Sequence, residues 1–320
     1  MDLKRALLDA WKRYPDRLCV VDEEQRFTHD QILRRSIALS QFIATNDRSE
    51  TGHVAIILPN SELFVSCFLG CLAADRAAVP INCLLSPPEA RFIIEHSQSK
   101  LVLTVSHFRP LLEQAMQGDG AAIQPMYLDE MLGSLDPAQV AQMLQAVDPA
   151  QLDSGASDPD RTACLIYTSG TTGVAKGVML SHRNLAANVA SMQQVLDIHP
   201  EDVFLTVLPL FHSFGMSTAM LLPILTGASL VTMKRFHPGK TIEIIEREKV
   251  SCLLMVASMF ALVMREGERR PERLNSVRMA IAGGGPLPPA LAAEFERRVG
   301  FPVFQGYGLT EASPVVAANL

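Results

Sequence analysis

The segment SVRMAIAGGGPLPPALAAEFERRVGFPVFQGYGLTEASP, at residues 276–314, contains the pattern that decides the fold. A short apolar run ends in three glycines, a helical stretch begins with prolines and ends at Gly300, and a second apolar run enters another glycine-rich loop. This order predicts two parallel strands joined by a helix, because right-handed connections bring both strand ends to the same edge of a sheet. Open α/β sheets bind ligands at that edge, so we expect a binding site where the two glycine-rich loops meet.

The same alternation of strand and helix occurs earlier in the chain. HVAIILPN, AAVPIN, KLVLTVS and TACLIY have the composition of buried strands, and helical stretches separate the first three. Apolar strands that alternate with helices are typical of a mostly parallel sheet with both faces covered. Between about residues 112 and 160 the pattern weakens into polar and glycine-rich sequence, which predicts a surface connection.

The composition is that of an ordinary globular protein, with 48% apolar and 19% charged residues in a chain of 320. A net charge of −6 gives no overall field that attracts nucleic acid, so we expect no nucleic-acid partner. The uncharged run at residues 204–233 is interrupted by prolines and glycines, so we expect no transmembrane segment. The six cysteines include no CxxC pair, which argues against a zinc site; with an N-terminus unlike a secretion signal, they predict a cytoplasmic location.

The segment YTSGTTGVAKG, at residues 167–177, carries the strongest chemical signal. Its glycines let main-chain N–H groups converge on an anion, its hydroxyls can donate to phosphate oxygens, and Lys176 supplies positive charge. A flexible linker is the alternative, but linkers rarely lie between two apolar strands with a lysine in this position. The GxxxxGK[ST] and GxGxxG patterns do not fit, which disfavours a kinase and a dehydrogenase, and the lack of GxSxG disfavours a serine hydrolase that uses Ser169.

Three segments together resemble the adenylate-forming, or AMP-binding, superfamily, which comprises acyl-CoA synthetases, luciferases and the adenylation domains of peptide synthetases. YTSGTTGVAKGVMLSHRNL (167–185) is similar to its phosphate-binding signature, and LPLFHSFGM (208–216) is similar to its second conserved block. AGGGPLP (282–288) and QGYGLTEASPVV (305–316) are similar to its nucleotide-binding block. The chain is most like a fatty acyl-CoA synthetase, and the similarity covers essentially its whole length.

The resemblance implies an α/β fold of two layered α/β subdomains with mostly parallel sheets. One subdomain spans about residues 47–195, and the second combines about residues 1–46 with residues 196–320. The sequence stops just after the GYGLTE block, so the β-barrel subdomain and the C-terminal domain of the family are missing from it. We therefore expect an incomplete synthetase that has little activity alone, unless a separate chain supplies the missing C-terminal part.

The resemblance also implies roles for individual residues, although each taken alone has a plain alternative as a turn, core or solvated residue. The β- and γ-phosphates of ATP would be held by Thr168, Ser169, Gly170, Thr171, Thr172, Gly173 and Lys176. The adenine site would consist of Gly283, Gly284, Gly285, Gln305, Gly306, Tyr307 and Gly308, with Tyr307 stacked on the base. Thr310 would reach the α-phosphate, Glu311 and Thr168 would bind Mg²⁺, and His212 would lie at the carboxylate pocket where the acceptor thiol enters. Lys176, His212 and Thr310 would then be the catalytic residues.

The second block indicates the kind of acid. Amino-acid-activating relatives resemble FDxS at this block, whereas this chain has FHSF at 211–214 and no acidic residue. A buried ammonium without a partner is costly, so we expect an acid that lacks an α-amino group. The apolar segments 211–216 and 252–264 predict either a hydrophobic acyl tunnel or plain helix core.

The predicted function is the ATP-dependent conversion of a carboxylic acid, a medium- or long-chain fatty acid, to an acyl-adenylate. A second step would convert the acyl-adenylate to a thioester with coenzyme A. The alternative is a non-catalytic nucleotide-binding module or half of a split enzyme.

Overall fold

The computed structural model describes residues 2–117, 123–153, 158–168, 175–268 and 270–319. The helices of the described residues, in chain order, are α1 (Leu3–Arg13), α2 (His29–Asn46), α3 (Glu62–Ala73), α4 (Pro87–His96), α5 (Arg109–Ala115), α6 (Leu128–Gly133), α7 (Pro137–Ala146), α8 (His182–Val195), α9 (Ser213–Met216), α10 (Leu222–Thr226), α11 (Pro238–Glu248), α12 (Ala257–Gly267) and α13 (Pro289–Val299). The strands are β1 (Leu18–Asp22), β2 (Gln25–Thr28), β3 (His53–Ile57), β4 (Ala77–Pro80), β5 (Leu101–Thr104), β6 (Gln124–Tyr127), β7 (Thr162–Thr168), β8 (Lys176–Ser181), β9 (Val203–Thr206), β10 (Ser229–Thr232), β11 (Cys252–Met255), β12 (Met279–Ala282), β13 (Phe304–Gly308) and β14 (Val315–Asn319). A π-helical turn at Ser217–Leu221 joins α9 to α10, and a 3-10 turn at Thr310–Ala312 separates β13 from β14.

The first of two compact units consists of residues 1–12 and 30–186. Its described residues form a six-stranded sheet in the order β6-β5-β3-β4-β7-β8, in which only the β7–β8 pair is antiparallel. The strands β4 and β5 are buried at every position, as expected for parallel strands covered on both faces.

The second unit consists of residues 13–29 and 187–320. Its described residues form an eight-stranded sheet in the order β14-β13-β12-β11-β9-β10-β1-β2. The six central strands are parallel, and the antiparallel strands β14 and β2 lie at the two edges. The strands β10, β11 and β12 are buried throughout, and the core on one side of the sheet includes Phe260 and Phe295 from α12 and α13.

Local sequence signals account for one end each of the helices α8 and α13. Ser181 caps α8, because its Oγ accepts a hydrogen bond from the main-chain N–H of Asn184 at 3.1 Å. Gly300 ends α13 with a φ of 91°, in the left-handed region where a residue with a Cβ is strained. The end of α13 at Gly300 was predicted from the sequence and is confirmed.

The predicted fold class is confirmed: both sheets are mostly parallel, helices lie between the strands, and neither sheet closes into a barrel within the described residues. The interpretation of residues 112–160 as a surface connection was wrong. This stretch contains the edge strand β6 and the helices α6 and α7. The strand β6 has no fully buried residue and α7 buries none, so neither element has the apolar run that marks a central strand or a packed helix.

The two units differ from the predicted subdomains in two respects. Residues 187–195 belong to the second unit, whereas the sequence grouped them with residues 47–186. Residues 1–12 and 30–46 belong to the first unit, whereas the sequence grouped residues 1–46 with residues 196–320. As a division into domains, the ranges 47–195 and 1–46 plus 196–320 stay a prediction. Among the described residues, no helix combines the length and the apolar character that crossing a membrane requires.

Candidate functional site

Loops and strand ends of the second unit enclose a cavity of about 540 Å³, within the size range of small-molecule sites. It lies where the two glycine-rich loops follow β12 and β13, because these parallel strands pair Ala282 with Gln305 and end at the same edge. The lining residues are Met192, Leu196, His212, Ser213, Phe214, Thr218, Leu254, Ile281, Gly283, Gly284, Gly285, Pro286, Gln305, Gly306, Tyr307, Gly308, Leu309, Thr310, Pro314, Val315, Ala317 and Ala318. The structure therefore brings together His212, the three glycines, residues 305–308 and Thr310, as the sequence predicted.

The glycine loop after β12 forms one wall of this cavity. A Cβ on Gly283 would lie 2.6 Å from Cζ of Phe214, so the main chain and the aromatic ring are in direct contact there. Gly284 has a φ of 74°, a main-chain conformation that residues other than glycine rarely adopt. A Cβ on Gly285 would meet no atom within 4 Å. The loop therefore presents bare main chain to the cavity, which lets a flat ring approach closely.

The second wall comes from β13 and the loop that follows it. Tyr307 is 61% exposed although it lines the cavity, so its ring is available to a ligand. A Cβ on Gly308 would lie 2.3 Å from the main-chain O of Pro314, so the turn can close only around a glycine. The N–H of Leu309 donates to the same Pro314 O at 3.0 Å. These contacts fold the loop back and leave the tyrosine ring at its outer face.

Two hydroxyl groups meet at the floor of the cavity. Oγ of Ser213 lies 3.0 Å from Oγ1 of Thr310, and both residues are buried. Each hydroxyl has one proton, so the pair uses one proton for the mutual hydrogen bond and keeps the other for a ligand. A buried hydroxyl pair that faces a cavity can donate to an anionic oxygen such as that of a phosphate.

His212 caps the short helix α9, and this contact determines its protonation state. The main-chain N–H of Phe214 donates to Nδ1 of His212 at 3.2 Å, so Nδ1 carries no proton and the neutral ring carries its proton on Nε2. Surrounding protein atoms partly desolvate the ring and lower its pKa. The Nε2–H group is therefore the donor that His212 can offer to a ligand.

The cavity carries no formal charge among the described residues that line it, since none of them is Asp, Glu, Lys or Arg. The apolar part of the lining comes from α8 and from strands of the sheet, including Met192, Leu196, Leu254 and Ile281. An ammonium group would find no carboxylate here. An uncharged or singly anionic ligand with an apolar portion fits this lining.

The predicted phosphate-binding loop belongs to the first unit. Thr168 ends β7 and pairs with Lys176 at the start of β8, so these two residues flank the loop that connects the two antiparallel strands. The residues between them that carry predicted roles, Ser169, Gly170, Thr171, Thr172 and Gly173, lie outside the described residues. Lys176 is exposed. The phosphate-binding roles of this loop stay predictions.

The loop stem is held by an aromatic contact. The ring of Tyr167 covers Gly177, on which a Cβ would lie 3.1 Å from Cζ of the tyrosine. The hydroxyl of Tyr167 and Nδ1 of His96 are 2.8 Å apart, and the two rings meet edge to face with centroids 5.7 Å apart. Burial raises the pKa of Tyr167 to about 12, so the hydroxyl keeps its proton. Sequence reasoning assigned no role to Tyr167 or His96.

The described residues contain no group of three or more His, Cys, Asp or Glu side chains placed to hold a metal ion. Glu311 lies in the 3-10 turn next to Thr310 and is exposed. A single accessible carboxylate fits Mg²⁺ that arrives with nucleotide phosphates, because this ion is usually bound through one or two carboxylates, substrate phosphates and water. The predicted magnesium roles of Glu311 and Thr168 stay proposals.

Sequence reasoning missed the parts of the lining that come from outside the motifs. Of the segments predicted to line an acyl tunnel, Phe214 and Leu254 do line the cavity. Met255 and Met264 belong to the buried core, and Met259 packs against it, so these methionines are core residues. The end of α8 and the strand β14 were not predicted to contribute. An apolar residue at every fourth position, Met192 and Leu196, was the available signal on α8.

Comparisons with known proteins extend over nearly the whole chain. The 4-coumarate–CoA ligase 1 of Arabidopsis thaliana is 32% identical over 280 residues, which are 83% of this chain and 49% of that protein. The long-chain-fatty-acid–CoA ligase of Bacillus subtilis (strain 168) is 28% identical over 345 residues, covering 99% of this chain and 61% of that protein. This chain thus spans between about half and three fifths of the length of these curated relatives.

Solved structures agree with this relationship. O-succinylbenzoate coenzyme A synthetase (MenE) from Bacillus subtilis, in complex with AMP, is 29% identical to this chain with a TM-score of 0.81. The alignment covers 98% of this chain and 60% of that one. A sequence model of AMP-binding enzymes matches residues 7–320, which include all three motif segments. The chain therefore belongs to the AMP-binding enzyme family.

Proposed function

We propose that this chain binds ATP and a carboxylic acid as part of an acid–thiol ligase, and that the acid is a fatty acid. Membership of the AMP-binding enzymes supports the reaction type, and the relatives described above are named as CoA ligases of an aryl acid, a fatty acid and a succinylbenzoate. The chain covers only part of the length of these relatives, so their complete activity is itself part of the proposal. A cytoplasmic location stays a prediction from the sequence.

The observation that carries the proposal is a cavity of the second unit whose described lining residues include no Asp, Glu, Lys or Arg. It combines a bare glycine wall and an accessible tyrosine ring for adenine, a hydroxyl pair for a phosphate, and an apolar surface for an organic acid. Because these features share one cavity, a base, a phosphate and an acyl group can be bound as one continuous molecule. An acyl-adenylate is such a molecule.

In the first step, a carboxylate oxygen of the acid attacks the α-phosphorus of ATP, an O–P bond forms, and pyrophosphate leaves with the electrons of the broken P–O bond. In the second step, the sulfur of coenzyme A attacks the acyl carbon, the thiol loses its proton, and AMP leaves. Such displacements depend mainly on positioning and on stabilising charge. In this proposal Lys176 and the loop that precedes it hold the β- and γ-phosphates.

In this proposal Thr310 and His212 of the cavity, and the adjacent Glu311, have direct tasks. Thr310, held by Ser213, donates its hydroxyl proton to an α-phosphate oxygen. The Nε2–H of His212 donates to the carboxyl oxygen of the acid, because Nδ1 is engaged by the main chain. Mg²⁺, when bound by Glu311 and the phosphates, would neutralise charge on the triphosphate.

The acid of this proposal lacks an ammonium group, since the described residues that line the cavity include no carboxylate to pair with one. We propose a medium- or long-chain fatty acid over an aryl acid because the lining beside the glycine wall is mostly aliphatic: Met192, Leu196, Leu254 and Ile281. An aryl acid is the competing substrate class.

Binding of non-hydrolysable acyl-adenylates tests the proposal on the chain as it is. We would measure the affinities of AMP and of 5′-O-(N-acylsulfamoyl)adenosines that carry octanoyl, palmitoyl and 4-coumaroyl groups by isothermal titration calorimetry. A fatty-acyl adenylate should bind at least about tenfold more tightly than AMP, because its acyl part gains apolar contacts that AMP lacks. Absence of heat with every adenine compound, on a sample with a cooperative unfolding transition, would refute nucleotide binding altogether.

The same samples separate the competing functions. Tighter binding of the 4-coumaroyl compound would replace the fatty acid by an aryl acid. Binding of AMP without any gain from an acyl group would favour the non-catalytic nucleotide-binding module. Incubation with ATP, Mg²⁺ and palmitate, followed by mass spectrometry for palmitoyl-adenylate and by a pyrophosphate assay, reports whether the chain performs the first step.

A further inference from the structure

One face of α8 and of the turn that follows it carries three residues spaced four apart, and the first of them contacts the first residue of β14. Asn188, Met192 and Leu196 lie at this spacing, which places them on the same side of a helix. Leu196 follows the end of α8, but its N–H still donates to Met192 O at 2.7 Å, so the helical turn continues through it. Met192 and Leu196 are 5% and 7% exposed and line the cavity. Asn188 is the polar member of this stripe and does not line the cavity.

The side chain of Asn188 is bound to the main chain of Val315 at both of its polar ends. Its Nδ2 donates to Val315 O at 2.8 Å, and its Oδ1 accepts from the N–H of Val315 at 3.2 Å. One side-chain amide thus occupies both main-chain groups of a strand residue, in the way that a neighbouring strand would. The contact joins two elements that are 127 residues apart in sequence.

Val315 lies in the cavity wall at an irregular position of the sheet. It is the first residue of β14, and the register between β13 and β14 shifts between Tyr307 and Gly308, where Val315 pairs with Gly308. Val315, Ala317 and Ala318 line the cavity on the side of β14, and Met192 and Leu196 line it from α8. The position of Val315 relative to α8 therefore sets the separation of these two apolar surfaces.

We propose that Asn188 is a positioning residue that determines which acyl groups the cavity accepts. It acts through Val315: the amide pair fixes the distance between β14 and the Met192–Leu196 stripe, and this distance limits the width of the acyl group. Both hydrogen bonds described for the Asn188 side chain go to Val315, not to the glycine wall or Thr310, so in this proposal AMP binding does not depend on the pair. This inference rests on the proposed function, because it assumes that the apolar part of the cavity receives an acyl group.

The test compares ligand selectivity in three variants with that of the unmodified chain. Asn188→Ala removes both hydrogen bonds and the side-chain volume, whereas Asn188→Leu removes the hydrogen bonds and keeps a similar size. Gln194→Ala removes an exposed side-chain amide from the same helix and is the matched control. The probes are AMP and the octanoyl, palmitoyl and 4-coumaroyl sulfamoyladenosines, titrated calorimetrically, with the unfolding transition of each variant recorded.

Both Asn188 variants should change the ratio of palmitoyl to 4-coumaroyl affinity by about tenfold or more, because fit differences of about one methylene in an apolar pocket have effects of this size. AMP affinity should stay within about twofold in all variants, and Gln194→Ala should match the unmodified chain. AMP binding also shows that the variants are folded. Agreement between Ala and Leu at position 188 assigns the effect to the hydrogen bonds.

Two results would overturn the inference alone. If the unmodified chain binds acyl-adenylates and the Asn188 variants keep the same ratios, Asn188 does not control the acyl site. If AMP and all three acyl compounds weaken by one common factor, Asn188 has only a structural role. If the unmodified chain binds AMP but gains nothing from any acyl group, the proposed function fails, and the inference fails with it.

Discussion

Replacing Gly283 by alanine should destabilise the second unit through a single steric contact. The new Cβ would lie 2.6 Å from Cζ and 2.7 Å from Cε1 of Phe214. Carbon atoms in favourable contact are about 3.5–4.0 Å apart, so the new Cβ and the Phe214 ring must move apart by roughly 1 Å. Moving the Phe214 ring away costs free energy, because hydrogen bonds hold the main chain of this residue on both sides. Its N–H donates to His212, and its C=O accepts from Oγ1 of Thr218 at 2.6 Å.

The expected loss is about 1–3 kcal/mol, the usual cost of one excess carbon in a well-packed region. Gly285 provides a matched control two residues further along the same loop. A Cβ on Gly285 would meet nothing within 4 Å, so Gly285→Ala should leave the free energy of unfolding within about 0.5 kcal/mol of the unmodified chain. Gly285 lines the cavity, so this variant should weaken AMP binding instead.

Urea unfolding of the four chains of a double-variant cycle measures the effect. Because Phe214→Ala removes the ring, Gly283→Ala should cost almost nothing in that background, with a coupling of about 1 kcal/mol or more. AMP titrations of Gly283→Ala and Gly285→Ala provide the second readout. A Gly283→Ala chain as stable as the unmodified one, or the same cost with and without the ring, would refute the assigned contact.

Three further expectations follow from other contacts. Gly308→Ala should destabilise the chain more than Gly283→Ala does. The new Cβ would lie 2.3 Å from the main-chain O of Pro314, which is less free to move than the ring of Phe214. Chemical denaturation of both variants, with Gly285→Ala as the control, tests this ranking. Tyr167→Phe keeps the ring over the loop stem but loses the hydrogen bond to His96, so the free energy of unfolding should fall by about 0.5–1.5 kcal/mol. An unchanged free energy of unfolding would show that this hydrogen bond does not stabilise the chain. Burial lowers the pKa of His29 to about 4, below its ordinary value of 6.5, so the folded chain resists protonation of this ring. The free energy of unfolding should therefore fall as the pH drops from 6.5 toward 4, by at most about 3 kcal/mol. The His29→Gln variant should show a smaller fall over the same pH series, and equal slopes for the two chains would contradict this account.

The sequence predicted those parts of the fold in which local pattern and burial coincide. Parallel strands such as β4, β5 and β12 are buried at every position, so each appears in the sequence as a largely apolar run. The strand β11 is buried in the same way, but the sequence predicted an acyl tunnel or helix core over residues 252–264, so this strand was missed. The edge strand β6 and the exposed helix α7 have no such signature, because their residues face solvent. Prediction therefore failed between residues 112 and 160, where burial was too low to leave a pattern.

The same distinction applies to the candidate site. Glycines at 283–285, 306 and 308 are local signals in the sequence. A Cβ on Gly283 would lie 2.6–2.7 Å from ring atoms of Phe214, and a Cβ on Gly308 would lie 2.3 Å from the main-chain O of Pro314, so neither position takes a larger residue without a shift of its neighbour. Asn188 has no comparable signal. A single asparagine in an amphipathic helix is indistinguishable from a solvated polar residue until the position of Val315 is known. Pair contacts across 127 residues are a property of the tertiary structure and cannot be read from helical periodicity.

The sequence identified His212 as a site residue, but only the structure shows which ring nitrogen carries the proton. The position of this proton matters both for the cap of α9 and for the hydrogen bond that the ring can donate to a ligand. In the structure, Nδ1 must stay unprotonated to accept the N–H of Phe214 and cap α9. A ring protonated on both nitrogens would lose this acceptor and place a second donor against the N–H, so the cap opposes protonation in addition to the desolvation that lowers the pKa. The neutral ring with its proton on Nε2 is therefore required by the fold itself, and it is the same state that can donate to a carboxyl oxygen without adding charge to the cavity.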